Sequence, residues 1–92
     1  EISGEICMIS VYGADKPGIV FRVAKILGEK NVNITDLNTK LVGSEERPVY
    51  VMIIEAVLPP TVEEDAVEAW MAPLREELKV DINVRTIPQV EL

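Results

Sequence analysis

Hydrophobic and polar residues along this 92-residue chain fall into six patterned stretches separated by turn chemistry. Glu5 to Tyr12 is rich in β-formers and precedes Gly13, so it reads as a first strand. Asp15-Lys16-Pro17-Gly18 is a turn, and a helix is expected from about Pro17 to Lys30. There Val20, Val23 and Leu27 form a stripe with Ile19, Ala24 and Ile26 beside it. Arg22, Lys25 and Glu29 point away, and Asn31 is the expected stop. Asn33 to Val42 predicts a second strand, with Leu37 and Leu41 on one face and Asp36, Asn38 and Lys40 on the other. After a polar turn, Val49 to Leu58 is the third and most apolar strand, ended by Pro59-Pro60.

Thr61 opens a second helix in this reading, with Glu64 completing a capping box. Val62, Ala66, Ala69, Trp70 and Leu74 are its expected buried stripe, and Pro73 predicts a kink or break near Ala72. Asp81 to Ile87 is the fourth strand, closed by Pro88. The order β-α-β-β-α-β implies a ferredoxin-like α+β sandwich. Right-handed crossovers put both helices on one face of an antiparallel sheet ordered 4-1-3-2. Residues 1–92 are read as a single domain with its structured core at about 5–88.

Two helices cover only one sheet face, yet the first and third strands are apolar on both. Ile6 and Met8 alternate with Cys7, Ile9 and Val11, and Val49, Val51 and Ile53 alternate with Tyr50, Met52 and Ile54. An uncovered apolar face is an association surface. The expectation is pairing with a second copy or a sibling domain. The plainer alternative is that β-propensity alone explains these runs.

Charge narrows the function classes. Nine basic and sixteen acidic residues give a net charge of -7. Nucleic-acid affinity depends on Lys and Arg neutralising phosphates, and adhesion to anionic membranes on basic clusters. Neither partner is expected. No apolar stretch approaches the roughly 18 residues of a membrane span, and nothing resembles a signal peptide, so a cytoplasmic chain is expected. Cys7 is the single cysteine and there is no histidine. A zinc site would have to be built from carboxylates, and neither a metal nor a cofactor is expected. The chain opens at Glu1 rather than Met, as a cut domain or a processed chain would.

The chemistry-bearing segment is Gly13-Ala14-Asp15-Lys16-Pro17-Gly18-Ile19-Val20. Pro17 sets the start of the helix without losing a useful donor, and Gly18 lets another group approach the backbone. The first helix amides then form a ready anion site suited to a carboxylate. Asp-Lys-Pro-Gly-Ile-Val at 15–20, followed by Asn-Val-Asn-Ile at 31–34, resembles the signature of ACT domains. The similarity runs from about Ile6 to Ile87. The segment Leu78 to Arg85 also resembles the branch related to the glycine cleavage system repressor. The resemblance implies a non-catalytic regulatory domain that binds a small amino acid between paired domains. Carried over, Asp15 matches the polar turn position, with Pro17 and Gly18 completing the turn. Ile19 and Val20 match the helix start, and Asn33, beside Ile34, the amide of the second strand. Some amino-acid-binding relatives have Asn where this chain has Asp15, and certain of them have His where it has Gly13.

Each of these residues has a structural alternative. Asp15 is also a turn or cap residue, Asn33 a cap of the first helix, and Glu63-Glu64-Asp65 a complement to the helix dipole. Trp70 reads as core or interface, and Arg22 and Lys25 as a solvated face. The rival enzyme reading rests on Gly18-Ile19-Val20-Phe21-Arg22, which echoes the phosphate loop of acylphosphatases, with Asn38 as the water-positioning amide. Asp15 is out of place in such a cradle. A third reading is an assembly module that binds no ligand.

Overall fold

A computed structural model describes residues 5–13 and 18–87. Among them the elements are β1 (Ile6–Gly13), α1 (Gly18–Glu29), β2 (Asn33–Gly43), β3 (Pro48–Val57), α2 (Glu64–Leu78) and β4 (Asp81–Ile87). The antiparallel sheet is ordered β2-β3-β1-β4, the arrangement expected from the pattern. Residues 14–17, which hold Asp15 and Pro17, and Pro88 lie outside the described residues.

Alternation in the two central strands divides the sheet into a core face and an open face. Cys7, Ile9 and Val11 of β1 and Met52, Ile54 and Ala56 of β3 are fully buried against Ile19, Val23 and Leu27 of α1 and Val67, Met71 and Leu74 of α2. Burying one such side chain contributes about 1.5–3 kcal/mol, so this single layer is the main stabilising mass. Burial also pushes the Cys7 thiol up to about 11, which keeps it an uncharged core group.

α1 ends where expected, through Asn31 in the left-handed conformation (φ 63) and a bond from the Val32 amide to the Leu27 carbonyl. α2 departs from the sequence reading in three ways. It starts at Glu64 with Glu63 as N-cap and no side-chain cap bond, so the Thr61–Glu64 capping box does not form. Glu64 instead accepts bonds from the Thr86 amide (3.0 Å) and hydroxyl (2.7 Å), a tertiary partner that wins over the local one. The buried stripe is Val67, Met71 and Leu74, with Ala69 exposed and Ala66 and Trp70 only partly buried. Trp70 lies beside the Lys30 ammonium, 5.5 Å from the ring centre. The helix also continues through Pro73. Pro73 and Ala69, four residues back, are both exposed, so water can take the carbonyl that the missing amide leaves unpaired.

A bulge in β2 is a further departure. The register steps from Ile34↔Ala56 to Asp36↔Glu55, which leaves Thr35 as the extra residue. The Thr35 hydroxyl donates to Glu55, its carbonyl and carboxylate both at 3.2 Å. The slip keeps Ile34, packed against the core, on the same face as Leu37 and Leu41.

Candidate functional site

The predicted ligand-binding residues that the structure describes sit towards the two ends of the sheet. Gly18, Ile19 and Val20 form the first turn of α1, which follows the Gly13 end of β1. Asn33 and Ile34 open β2 at the other end, because Asn33 aligns with Val57, and Val57 with Ile6. Seven residues of strand separate Ile6 from Gly13, about 23 Å. One copy of the chain therefore does not bring Gly18 and Asn33 together. Nothing in the linear signature hints at this separation, which appears only once the strands are in register.

Each half has its own character. Ile19 is fully buried in the core, and Val20 packs against it from the margin, so their backbone amides rather than their side chains face the helix start. α1 has no acidic residue in its first turn to answer the helix dipole. A Cβ built on Gly18 would meet nothing within 4 Å among the described residues, and its φ lies outside the region reserved for glycine. Among the described residues, neither packing nor backbone conformation explains a glycine at position 18. Gly13 is the opposite case, because a Cβ there would drive into the Val80 side chain. The glycine at the position where certain relatives carry His is thus required by the approach of Val80.

Asn33 is exposed and its side chain makes no hydrogen bond among the described residues, so it does not cap α1 there. Its alignment with Val57 places it on the open face of the sheet, at the β2 edge. Ile34 faces the core side and supports the strand.

The two outer edges of the sheet differ. Along β4, the Arg75 guanidinium donates to the Ile82 carbonyl at 3.0 and 2.6 Å, and Glu64 accepts from the Thr86 amide. Arg75 is itself held by Glu68 at 2.6 Å, which lowers the Glu68 carboxyl below its ordinary range. Along β2, no hydrogen bond among the described residues reaches the outer backbone. Beside it Leu37, Leu41 and Val42, and Phe21 of α1 at 67% exposure, leave apolar surface open to water.

The acylphosphatase-like reading fails on placement. The Arg22 guanidinium, on the solvated face expected for it, is engaged by both Glu77 oxygens at 2.9 and 2.8 Å, which raises its pKa. The Asn38 amide donates to Asp36 at 3.0 Å on the open face, across the sheet from both helices. No group of three or more carboxylate or thiol side chains suited to a metal occurs among the described residues. No helix among them is long and apolar enough to cross a membrane.

Comparison with known proteins agrees with this architecture. No curated protein matches the chain. Among solved structures, an ACT domain protein from Streptococcus pneumoniae is similar at 24% identity with a TM-score of 0.76, covering 91% of each chain. A protein of unknown function from Galdieria sulphuraria shares 24% identity with a TM-score of 0.80, over 95% of this chain and 53% of its own. A protein assigned as a glycine cleavage system transcriptional repressor superposes with a TM-score of 0.83 at 12% identity, over 97% of this chain and 50% of its own. The chain thus spans about half the length of these last two. The sequence model of the ACT domain matches residues 8–71, most of the chain, and the protein belongs to the ACT domain family.

Proposed function

We propose that this regulatory domain binds a small amino acid in a seam between two copies, with the α1 start of one copy facing the β2 start of the other. The carrying observation is the separation of Gly18 from Asn33 by the length of the sheet. A two-fold axis perpendicular to the sheet, beside β2, would run the two β2 edges antiparallel. That arrangement brings the Asn33 end of each strand towards the Gly18 end of its neighbour. The unpartnered β2 backbone and the exposed Leu37, Leu41 and Phe21 support it. In the seam, the α1 amides would receive the ligand carboxylate. Asn33 and Asp15 would accept hydrogen bonds from its ammonium, with Pro17 holding the turn. Ligand binding in turn would stabilise the pair, which is how such a module passes a signal to an attached partner.

Gly18→Ala separates ligand binding from folding. Position 18 has room for a methyl, so the variant should unfold within about 0.5 kcal/mol of the parent. A Cβ aimed at the seam should nonetheless abolish the ligand response. Thermal unfolding across the twenty amino acids is the measurement. A bound ligand at a hundredfold excess over Kd adds about 2.7 kcal/mol, a shift on the order of 10 °C for a domain this small. Gly18→Ala and Asn33→Ala should each remove the shift. If no amino acid moves the midpoint at any protein concentration, the domain serves assembly alone.

A further inference from the structure

The sheet face turned away from the helices carries an ordered charge pattern that neither the fold nor the ligand seam requires. Strand register arranges it in rows across the sheet. One row runs Asp36, Glu55, Met8, Arg85; the next Asn38, Ile53, Ser10, Asn83; the next Lys40, Val51, Tyr12, Asp81. An outer row holds Asn33, Val57, Ile6 and Ile87. Between the edges, Met8, Val51 and Ile53 are only half-buried and Tyr12 is 41% exposed, with Ser10 and Glu55 the polar exceptions. The four corners alternate in sign: Asp36 negative, Arg85 positive, Asp81 negative, Lys40 positive.

Such a pattern is the opposite of its own mirror image. Laid face to face on itself about a two-fold axis in the sheet plane, it sets every corner charge against one of opposite sign. The geometry points to a second copy of this chain as the occupant of the open face, related by a two-fold axis parallel to the strands and passing between β1 and β3. Asp36 then meets Arg85 of the second copy, Lys40 meets Asp81, and Asn38 meets Asn83. The alternative axis, across the strands, also pairs opposite charges but sets Glu55 against the apolar Val51. The strand-parallel axis sets Glu55 against Met8, next to the incoming Arg85, so its half-buried carboxylate gains a cation.

Size is compatible with this pairing. Four strands about 4.8 Å apart and seven residues long give a face of about 20 by 24 Å. Two such faces remove roughly 1,000 Å² from water, the lower bound for specific association. Two sheets stack about 10 Å apart with strands nearly aligned, within reach of Arg, Lys and carboxylate side chains. The two readings share only Asn33, at the β2 end of the outer row; the charged rows from Asp36–Arg85 to Lys40–Asp81 belong to this face alone and take no part in the ligand seam.

Sedimentation of charge-reversed variants of the whole chain is the test. Asp36→Arg and Arg85→Asp each create two like-charge contacts per pair of copies and should weaken face-dependent association about tenfold or more. Mixing the two single variants should restore association, because each then presents the complement of the other. The double variant D36R/R85D should also associate like the parent. Under the cross-strand axis the same double variant would set the new cation at position 36 against Lys40 and the new anion at position 85 against Asp81. It would then be the weakest of all. Circular dichroism checks that each exposed substitution leaves the fold intact. A parent that stays monomeric at millimolar concentration overturns the proposal, as does association indifferent to these charges or a mixture no stronger than its components. Amino-acid binding is scored separately by Gly18→Ala, so either idea can fail while the other stands.

Discussion

The two outer strands of this sheet have similar alternation and opposite fates. β4 is sealed by its own chain: Arg75 and Glu64, eleven residues apart on α2, bind the Ile82 carbonyl and the Thr86 amide on its outward side. β2 is longer and has no such clamp among the described residues. An unpaired strand edge is a template for another strand, and proteins usually blunt the edges they do not use. This domain blunts one and leaves the other open, flanked by Leu37 and Leu41. The contrast shows which edge is built for the fold and which is available for a partner.

Arg75→Ala should break that contrast most severely. It removes two bonds to Ile82 and strands the Glu68 carboxylate, so urea unfolding should show a loss of about 1.5–3 kcal/mol. Hydrogen exchange should rise along β4 and stay unchanged along β2. The ion pair also has a pH signature. Because Arg75 lowers the Glu68 carboxyl, its stabilisation is present above the ordinary value of 4.5 and fades as pH falls through the depressed one. Arg75→Ala should therefore flatten the acid limb of the stability curve. Glu64→Ala is expected to cost less, about 1 kcal/mol, with faster exchange concentrated at Thr86. Leu41→Lys, at 59% exposure, should leave stability within about 0.5 kcal/mol and weaken association through β2. A large stability loss there would mean that Leu41 serves the core of its own chain instead.

The architecture was open to sequence reasoning because its signals are local. The β-former runs of β1 and β3, the alternation of β2 and β4 and the Pro-Gly and Pro-Pro punctuation placed every element, and all but the two ends of α2 to within a residue or two. What stayed hidden depends on residues distant in the chain. Glu64 has the spacing of half a capping box, but its partner is Thr86, twenty-two residues on. The Thr35 bulge answers to Glu55 on the neighbouring strand. The buried side of α2 is displaced towards Met71, since Ala69 and Trp70 fit a helical stripe equally well on paper. For the site, residue types are legible along the chain but distances are not. Gly18 and Asn33 read as neighbours in one signature and lie at opposite ends of a sheet.

The nestling of Val80 against Gly13 constrains what position 13 can become. No imidazole or other bulky group can be installed where β1 ends without displacing the residue that leads into β4. In the proposed seam, a change of ligand would therefore fall to positions 15 and 33 rather than to position 13. The end of β1 is in this sense a fixed wall.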